Sequence, residues 1–158
     1  MSVAETESSK MIVRITDGPI NIESLLTDVG DPDVGAHGWF FGVTRRKTTR
    51  GDTTKITQSL SYEAHRPMAI SELEKLAAKA LADFQLKHIV IVHRLGDVPV
   101  GQASVVLGCS SAHRVATFRA NEWIMNTLKQ DVPIWKRETY SDGSTQWVHP
   151  IESDGPTS

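Results

Sequence analysis

The sequence predicts an α+β fold, with two main amphipathic helices packed on a largely antiparallel β-sheet in a single domain. Three observations lead there. Two stretches, 67–84 and one running from Ser110 or Ser111 to about Lys129, carry apolar residues at helical spacing. Several shorter runs are apolar throughout or alternate polar with apolar, as strands do. Two of those runs, HIVIVHR (88–94) and ASVVLGC (103–109), are separated by eight residues, which favours antiparallel pairing over a crossover.

In chain order, MIVRIT (11–16) reads as a strand and NIESLLTDV (21–29) as a short helix before a DPDVG loop. AHGWFFGV (36–43) reads as a buried strand entering a loop. In TKITQSLSYEA, Ile56, Leu60, Tyr62 and Ala64 fall on one face, with Thr57, Ser59, Ser61 and Glu63 on the other. Pro67 opens the first main helix, whose apolar stripe is Ile70, Leu73, Leu76, Ala77, Ala80, Leu81 and Phe84. LGDVPVGQ (95–102) is a turn. Ser110 or Ser111 caps the second helix, and Ala112, Ala116, Ala120, Ile124 and Leu128 form its inner face. After Pro133, IWKRETY and TQWV flank SDGS as a hairpin.

At 158 residues the chain has room for one domain, which can bury about 65–70% of its unfolded surface. The domain is expected over 11–148, with a polar N-terminal tail at 1–10 and a flexible C-terminal tail at 149–158. A formal net charge of −2 means that any polyanion must be met by a local cluster of cations rather than by the whole molecule. The single cysteine, Cys109, allows no intrachain disulfide and no cysteine-rich metal site. There is no run of about 18 apolar residues, and MSVAETESSK lacks an apolar signal core, so a cytoplasmic protein is expected.

Three cationic groups are candidates for chemistry. The loop TRRKTTRGDTTK (44–55) holds Arg45, Arg46, Lys47, Arg50 and Lys55 against Asp52. Most of these suit a solvated hairpin tip, but Arg45 leaves directly from the apolar WFFGV segment, which would fix its position. SSAHR (110–114) falls at a helix N-terminus, where free N–H groups and the helix dipole favour an anion, and His113 and Arg114 add donors. A capped helix start with two exposed polar residues fits equally well.

LKQDVPIWKRE (128–138) is the third group. Lys129 suits the negative end of a helix dipole, which is a structural role, while Lys136 and Arg137 alternate on the following strand. If Lys136 shares a face with Ile134 it is partly desolvated, and burial would lower its pKa towards values useful for proton transfer. A surface strand with ordinary charges remains the other reading. His113 and Lys129 lie 16 residues apart on one helix, roughly 24 Å along its axis. One small ligand therefore reaches both only if there are two subsites or a second subunit supplies the helix start. The six histidines form no helical HxxxH pattern, so no metal site is expected, and Cys109 reads as core filling.

The ordered motifs FFGVTR (40–45), LSYEAHRPMA (60–69), IVHRLGDVPVGQASVV (91–106), SSAHR and LKQDVPIWKRE resemble the large, catalytic subunit of molybdopterin synthase over about residues 36–147. The resemblance implies an α/β-hammerhead-like α+β domain that forms a homodimer within a heterotetramer, without a cofactor. Each end of the dimer would dock a ubiquitin-like sulfur-carrier small subunit, whose C-terminal Gly-Gly thiocarboxylate threads into a pocket. There cyclic pyranopterin monophosphate would receive two sulfurs and become the dithiolene-bearing molybdopterin. By position, Lys129 and Lys136 match the family's two catalytic lysines, suited to stabilising negative charge on the thiocarboxylate and on developing oxyanions. Phe40 and Arg45 match pocket residues for the pterin and its phosphate. His113 and Arg114 match an anion-binding pair donated across the dimer. Arg137 is a further substrate-binding candidate, and Pro133 and Trp135 would shape the wall. The chain departs from the family at Arg46-Lys47, where Asn or Asp is common, and at WVHP after Trp147, where a basic residue is usual.

Two other classes compete. A nucleic-acid or phosphate-binding module built on the 44–55 loop would bind in a strongly salt-dependent way, but Trp39, Phe40 and Phe41 do not alternate with the basic residues as a stacking platform would. A non-catalytic scaffold would bind the carrier and convert nothing.

Overall fold

The computed structural model describes residues 10–26 and 31–148. The elements run β1 (Lys10–Thr16), α1 (Ile22–Leu26), β2 (Ala36–Val43), β3 (Lys47–Arg50), β4 (Thr53–Ala64), α2 (Arg66–Asp83), β5 (His88–Arg94), β6 (Gly96–Pro99), β7 (Ala103–Ser111), α3 (Arg114–Asp131), β8 (Ile134–Tyr140) and β9 (Thr145–Val148). The first strand thus begins at Lys10, and the expected tail positions 1–9 and 149–158 lie outside the described residues, as do 27–29 of the first helical stretch and residue 30 after it.

Two sheets form. The first has the order β1-β5-β7-β2, with β1–β5 parallel and the other pairs antiparallel. The second runs β3-β4-β8-β9, with β6 also paired to β4, and is antiparallel throughout. The fold is α+β and largely antiparallel, with α2 and α3 covering one face of the first sheet.

Burial follows from the strand pattern. Every residue of β5 is buried because both faces of this central strand are covered. Ile89 and Ile91 join Val105, Leu107 and Cys109 under the helices, together with Leu73, Leu76, Ala77 and Ala80 of α2 and Ala120, Ile124 and Leu128 of α3. Val90, Val92 and Val106 face the other way, against Leu25, Ile12 and Trp39. Trp39 lies across Gly108, where any Cβ would stand 2.5 Å from the indole, so the flat packing of that ring depends on glycine.

Several sequence expectations shift. AHGWFFGV forms a strand of the expected extent, but it is an edge strand rather than a buried one, and Phe40 and Phe41 remain partly open. The alternation expected for TKITQSLSYEA breaks at Gln58, where the register against β8 shifts between Thr57 and Ser59. That irregularity turns Thr57 to the inner face with Leu60 and leaves Ile56 exposed. α3 starts later than expected. Ser110 and Ser111 complete β7 by pairing with His37 and Ala36, so His113 becomes the N-cap, without a side-chain capping bond. α2 is capped by His65, whose ring accepts from the Met68 amide at 3.4 Å, and Pro67 occupies its first turn.

Candidate functional site

A cavity of about 400 Å³ opens between the two sheets beside the C-terminal half of α3. Each sequence-predicted cation that reaches it has a visible anchor. Arg45 follows Thr44, which is buried and held on three sides. The Thr44 amide donates to Gln102 O at 3.1 Å, its carbonyl accepts from the Gly101 amide at 2.8 Å, and its hydroxyl donates to Val98 O at 3.3 Å. Lys129 projects from the last turn of α3, just before Val132 closes the helix by donating to Leu128 O at 3.1 Å. Pro133 cannot continue the helix, and Ile134 starts β8 immediately beyond it.

Strand alternation then decides β8. Ile134, Lys136 and Glu138 line the cavity, and Tyr140 is buried on the same face, while Trp135 is exposed. Lys136 does share the face of Ile134 and is half-buried. Lys129 and Lys136 therefore reach one cavity from two different elements, with Arg45 and Phe40 on its β2 side. Met125 and Leu128 of α3 supply an apolar wall.

Arg137, His113 and Arg114 are not among the cavity's lining residues. Arg137 stacks on the Trp147 ring, with its guanidinium carbon 5.6 Å from the ring centre. His113 and Arg114 stand exposed at the far end of α3. Phe118 and Val115, 69% and 53% exposed, flank them on the first turns of that helix.

Among the lining residues that the sequence does not single out for the site, four carry polar chemistry near the lysines. Tyr62, His93 and Ser104 belong to β4, β5 and β7, and Glu138 to β8. Glu138 was legible in principle, because the alternation of IWKRETY places it with Lys136. The Tyr140 hydroxyl donates to its carboxylate, and Arg50 lies 3.7 Å away from the β3–β4 hairpin. Lys55 stands 4.5 Å over the Tyr140 ring. Two of the hairpin's cations are thus turned towards the protein itself, tying the hairpin to β8. Burial and the adjoining Glu138 carboxylate push the Tyr140 phenol up to about 12.

Cys109 is buried and its Sγ donates to Asn121 Oδ1 at 3.3 Å. Burial pushes its thiol up to about 12, which keeps it protonated and unreactive at neutral pH. Among the described residues no group of three His, Cys, Asp or Glu side chains is placed to hold a metal ion, and no helix is long and apolar enough to cross a membrane.

Burial pushes the His93 imidazole down to about 4. An unfolded histidine takes a proton near pH 6.5, whereas the folded ring refuses it until about 4. The unfolded state therefore binds more protons in that window, and stability falls as pH drops through it, by up to about 3 kcal/mol. Denaturant melts at pH 7 and pH 4.5 should show His93→Phe losing less stability on acidification than the wild type. An equal loss in both proteins would contradict the assignment.

Residues 15–131 match the family model described as MoaE protein. The molybdopterin synthase catalytic subunit of Dictyostelium discoideum is 38% identical over 151 residues, covering 94% of this chain and 93% of that protein. The Bacillus subtilis (strain 168) protein of the same name is 40% identical over 135 residues, covering 85% and 83%. The crystal structure of molybdopterin synthase from Staphylococcus aureus superposes with a TM-score of 0.76 at 32% identity, covering 85% of this chain and 94% of that one. An alignment that spans nearly the whole fold, and with it every element that builds the cavity, shows that the chain belongs to the MoaE family, that of the molybdopterin synthase catalytic subunits.

Proposed function

We propose that the cavity is a sulfur-transfer site, in which the C-terminal thiocarboxylate of a ubiquitin-like small subunit delivers sulfur to cyclic pyranopterin monophosphate. The observation that carries this reading is the convergence of Lys129 and Lys136, from α3 and β8, on one cavity that also takes Arg45. Three cations line the cavity beside Glu138, which is itself engaged by Tyr140 and Arg50, and such a set suits a phosphorylated substrate and an anionic tail.

The chemistry asks for such a set. Attack of the thiocarboxylate sulfur on a pterin side-chain carbon forms a C–S bond and breaks a C–O bond, whose oxygen takes up a proton and leaves as water, giving a thioester between carrier and pterin. Water then splits that thioester, leaving sulfur on the pterin and a carboxylate on the carrier. Negative charge builds on oxygen in both stages, and ammonium groups already in place stabilise it without solvent reorganisation. The sulfur donor arrives on the carrier, so no cysteine nucleophile is required, in keeping with the inert Cys109. Phe40 flanks the pterin and Arg45 meets its phosphate. His113 and Arg114 complete the site from a second subunit of a homodimer, an arrangement supported by the apolar Val115 and Phe118 exposed beside them. Two carriers on that homodimer make a heterotetramer, and no cofactor takes part.

Reconstitution tests this reading. Purified protein, thiocarboxylated carrier and cyclic pyranopterin monophosphate should yield dithiolene product. A protein that binds the carrier tightly yet forms no product would be a scaffold, and the reading would fail.

A further inference from the structure

We propose that His93 determines substrate specificity, its Nε2 accepting a hydrogen bond from a ring N–H or amino group of the bicyclic pterin. The inference rests on the sulfur-transfer reading of the cavity and deepens it, because that reading assigns groups to the phosphate and the tail but none to the edge of the heterocycle.

Four observations lead to it. His93 lines the cavity from β5, the buried central strand of the first sheet, and its ring stands edge-on to Tyr62 of the second sheet at 5.1 Å and 72°. The ring is therefore held from both sheets. Its Nδ1 lies 2.9 Å from the Arg94 carbonyl oxygen. A carbonyl only accepts, so Nδ1 carries the proton, and in the neutral ring Nε2 carries the lone pair. The low affinity of the buried ring for a second proton keeps it neutral at physiological pH.

Among the described residues Nε2 itself has no hydrogen-bond partner, and the ring's bond is made through Nδ1. Nor is it among the described polar atoms that are sealed away from space without a hydrogen bond, which are His88 Nε2, Arg94 Nε and Arg137 Nε. Its lone pair therefore opens onto the cavity that His93 lines. The surroundings make this acceptor distinctive. Arg45, Lys129 and Lys136 are donors, the Ser104 hydroxyl is turned to Gly42 O at 3.3 Å, and Glu138 already accepts from Tyr140 with Arg50 3.7 Å from the same oxygen. A phosphorylated heterocycle presents opposite needs at its two ends, acceptors on the phosphate and N–H donors on the pterin. The cations answer the first and His93 the second.

Two variants and one spectrum test the proposal in the complete protein with its carrier. His93→Phe keeps a ring against Tyr62 and removes the acceptor. His93→Gln places an amide oxygen near the position of Nε2. Calorimetric titration with cyclic pyranopterin monophosphate should show binding weakened about 10- to 100-fold in His93→Phe. Carrier affinity should be unchanged, the KM for the pterin should rise more than kcat falls, and His93→Gln should recover most of the loss. In the wild type labelled with 15N-histidine, the Nε2 resonance should sit at the unprotonated position and move upfield when the pterin is added. Wild-type pterin affinity in His93→Phe would overturn the proposal. So would no recovery in a His93→Gln protein that still binds carrier, or an Nε2 resonance indifferent to pterin. The spectrum needs no variant to fold. A wild type that converts no pterin would instead overturn the sulfur-transfer reading itself.

Discussion

Replacing Lys136 or Lys129 by alanine is expected to lower the rate of dithiolene formation at least about 100-fold, the scale on which loss of one preorganised group facing a developing charge is felt. The two variants should not behave alike. Lys136 comes from a strand whose neighbours Ile134 and Glu138 are buried, so its ammonium is held where charge develops, and Lys136→Ala should act mainly on kcat. Lys129 sits in the last turn of α3, where it is better placed to meet the incoming anionic tail, and Lys129→Ala should raise the apparent KM for carrier as well. Single-turnover assays at saturating and subsaturating carrier separate the two effects. Full product at wild-type rate from both variants would remove the lysines from the mechanism.

The second large effect concerns the subunit boundary. His113 caps the N-terminus of α3 and Lys129 stands near its C-terminus, roughly 24 Å apart along the axis, and the cavity is lined at the Lys129 end alone. A His113→Ala/Arg114→Ala double variant should be nearly inactive by itself, as should Lys129→Ala. Dissociated, mixed in equal amounts and reassembled, they should regain about a quarter of wild-type activity, because half of the dimers are mixed and each mixed dimer has one complete site of two. No recovery, with mixed dimers demonstrated by mass, would place the anion pair outside the site.

Much of this is legible in the sequence, for identifiable reasons. The strands of the first sheet announce themselves because HIVIVHR and ASVVLGC are buried on both faces and read as continuous apolar runs. The helices do so because Leu73, Leu76 and Ala80, or Ala120, Ile124 and Leu128, return at helical spacing. What stayed hidden depends on partners far away in the chain. β6 looks like a turn because only its pairing with Ser59–Tyr62 makes GDVP a strand. The shift at Gln58 arises from the register against β8 and has no local signature. Ser110 and Ser111 look like helix caps until His37 and Ala36 draw them into β7.

The candidate site divides in the same way. That Lys129 and Lys136 belong together came from the family resemblance, since alternation and a proline could say only that both lie near a helix exit. Their convergence on one cavity follows from Pro133 ending α3 beside β4, which pairs Tyr62 with Lys136. His93 could not be found by pattern, because a histidine closing an apolar strand reads as a strand residue. Its significance appears once Arg94 O fixes the tautomer and the second sheet arrives as Tyr62.

The central claim is that sulfur passes from the carrier to the pterin at the lysine-lined cavity without resting on the protein. Carrier thiocarboxylate labelled with radioactive sulfur, followed through a single turnover, tests it most directly. The wild type and Cys109→Ala should both move the label into the pterin at similar rates, while Lys136→Ala leaves it on the carrier. Label trapped on Cys109, or delivered to the pterin by Lys129→Ala and Lys136→Ala as fast as by the wild type, would contradict the account.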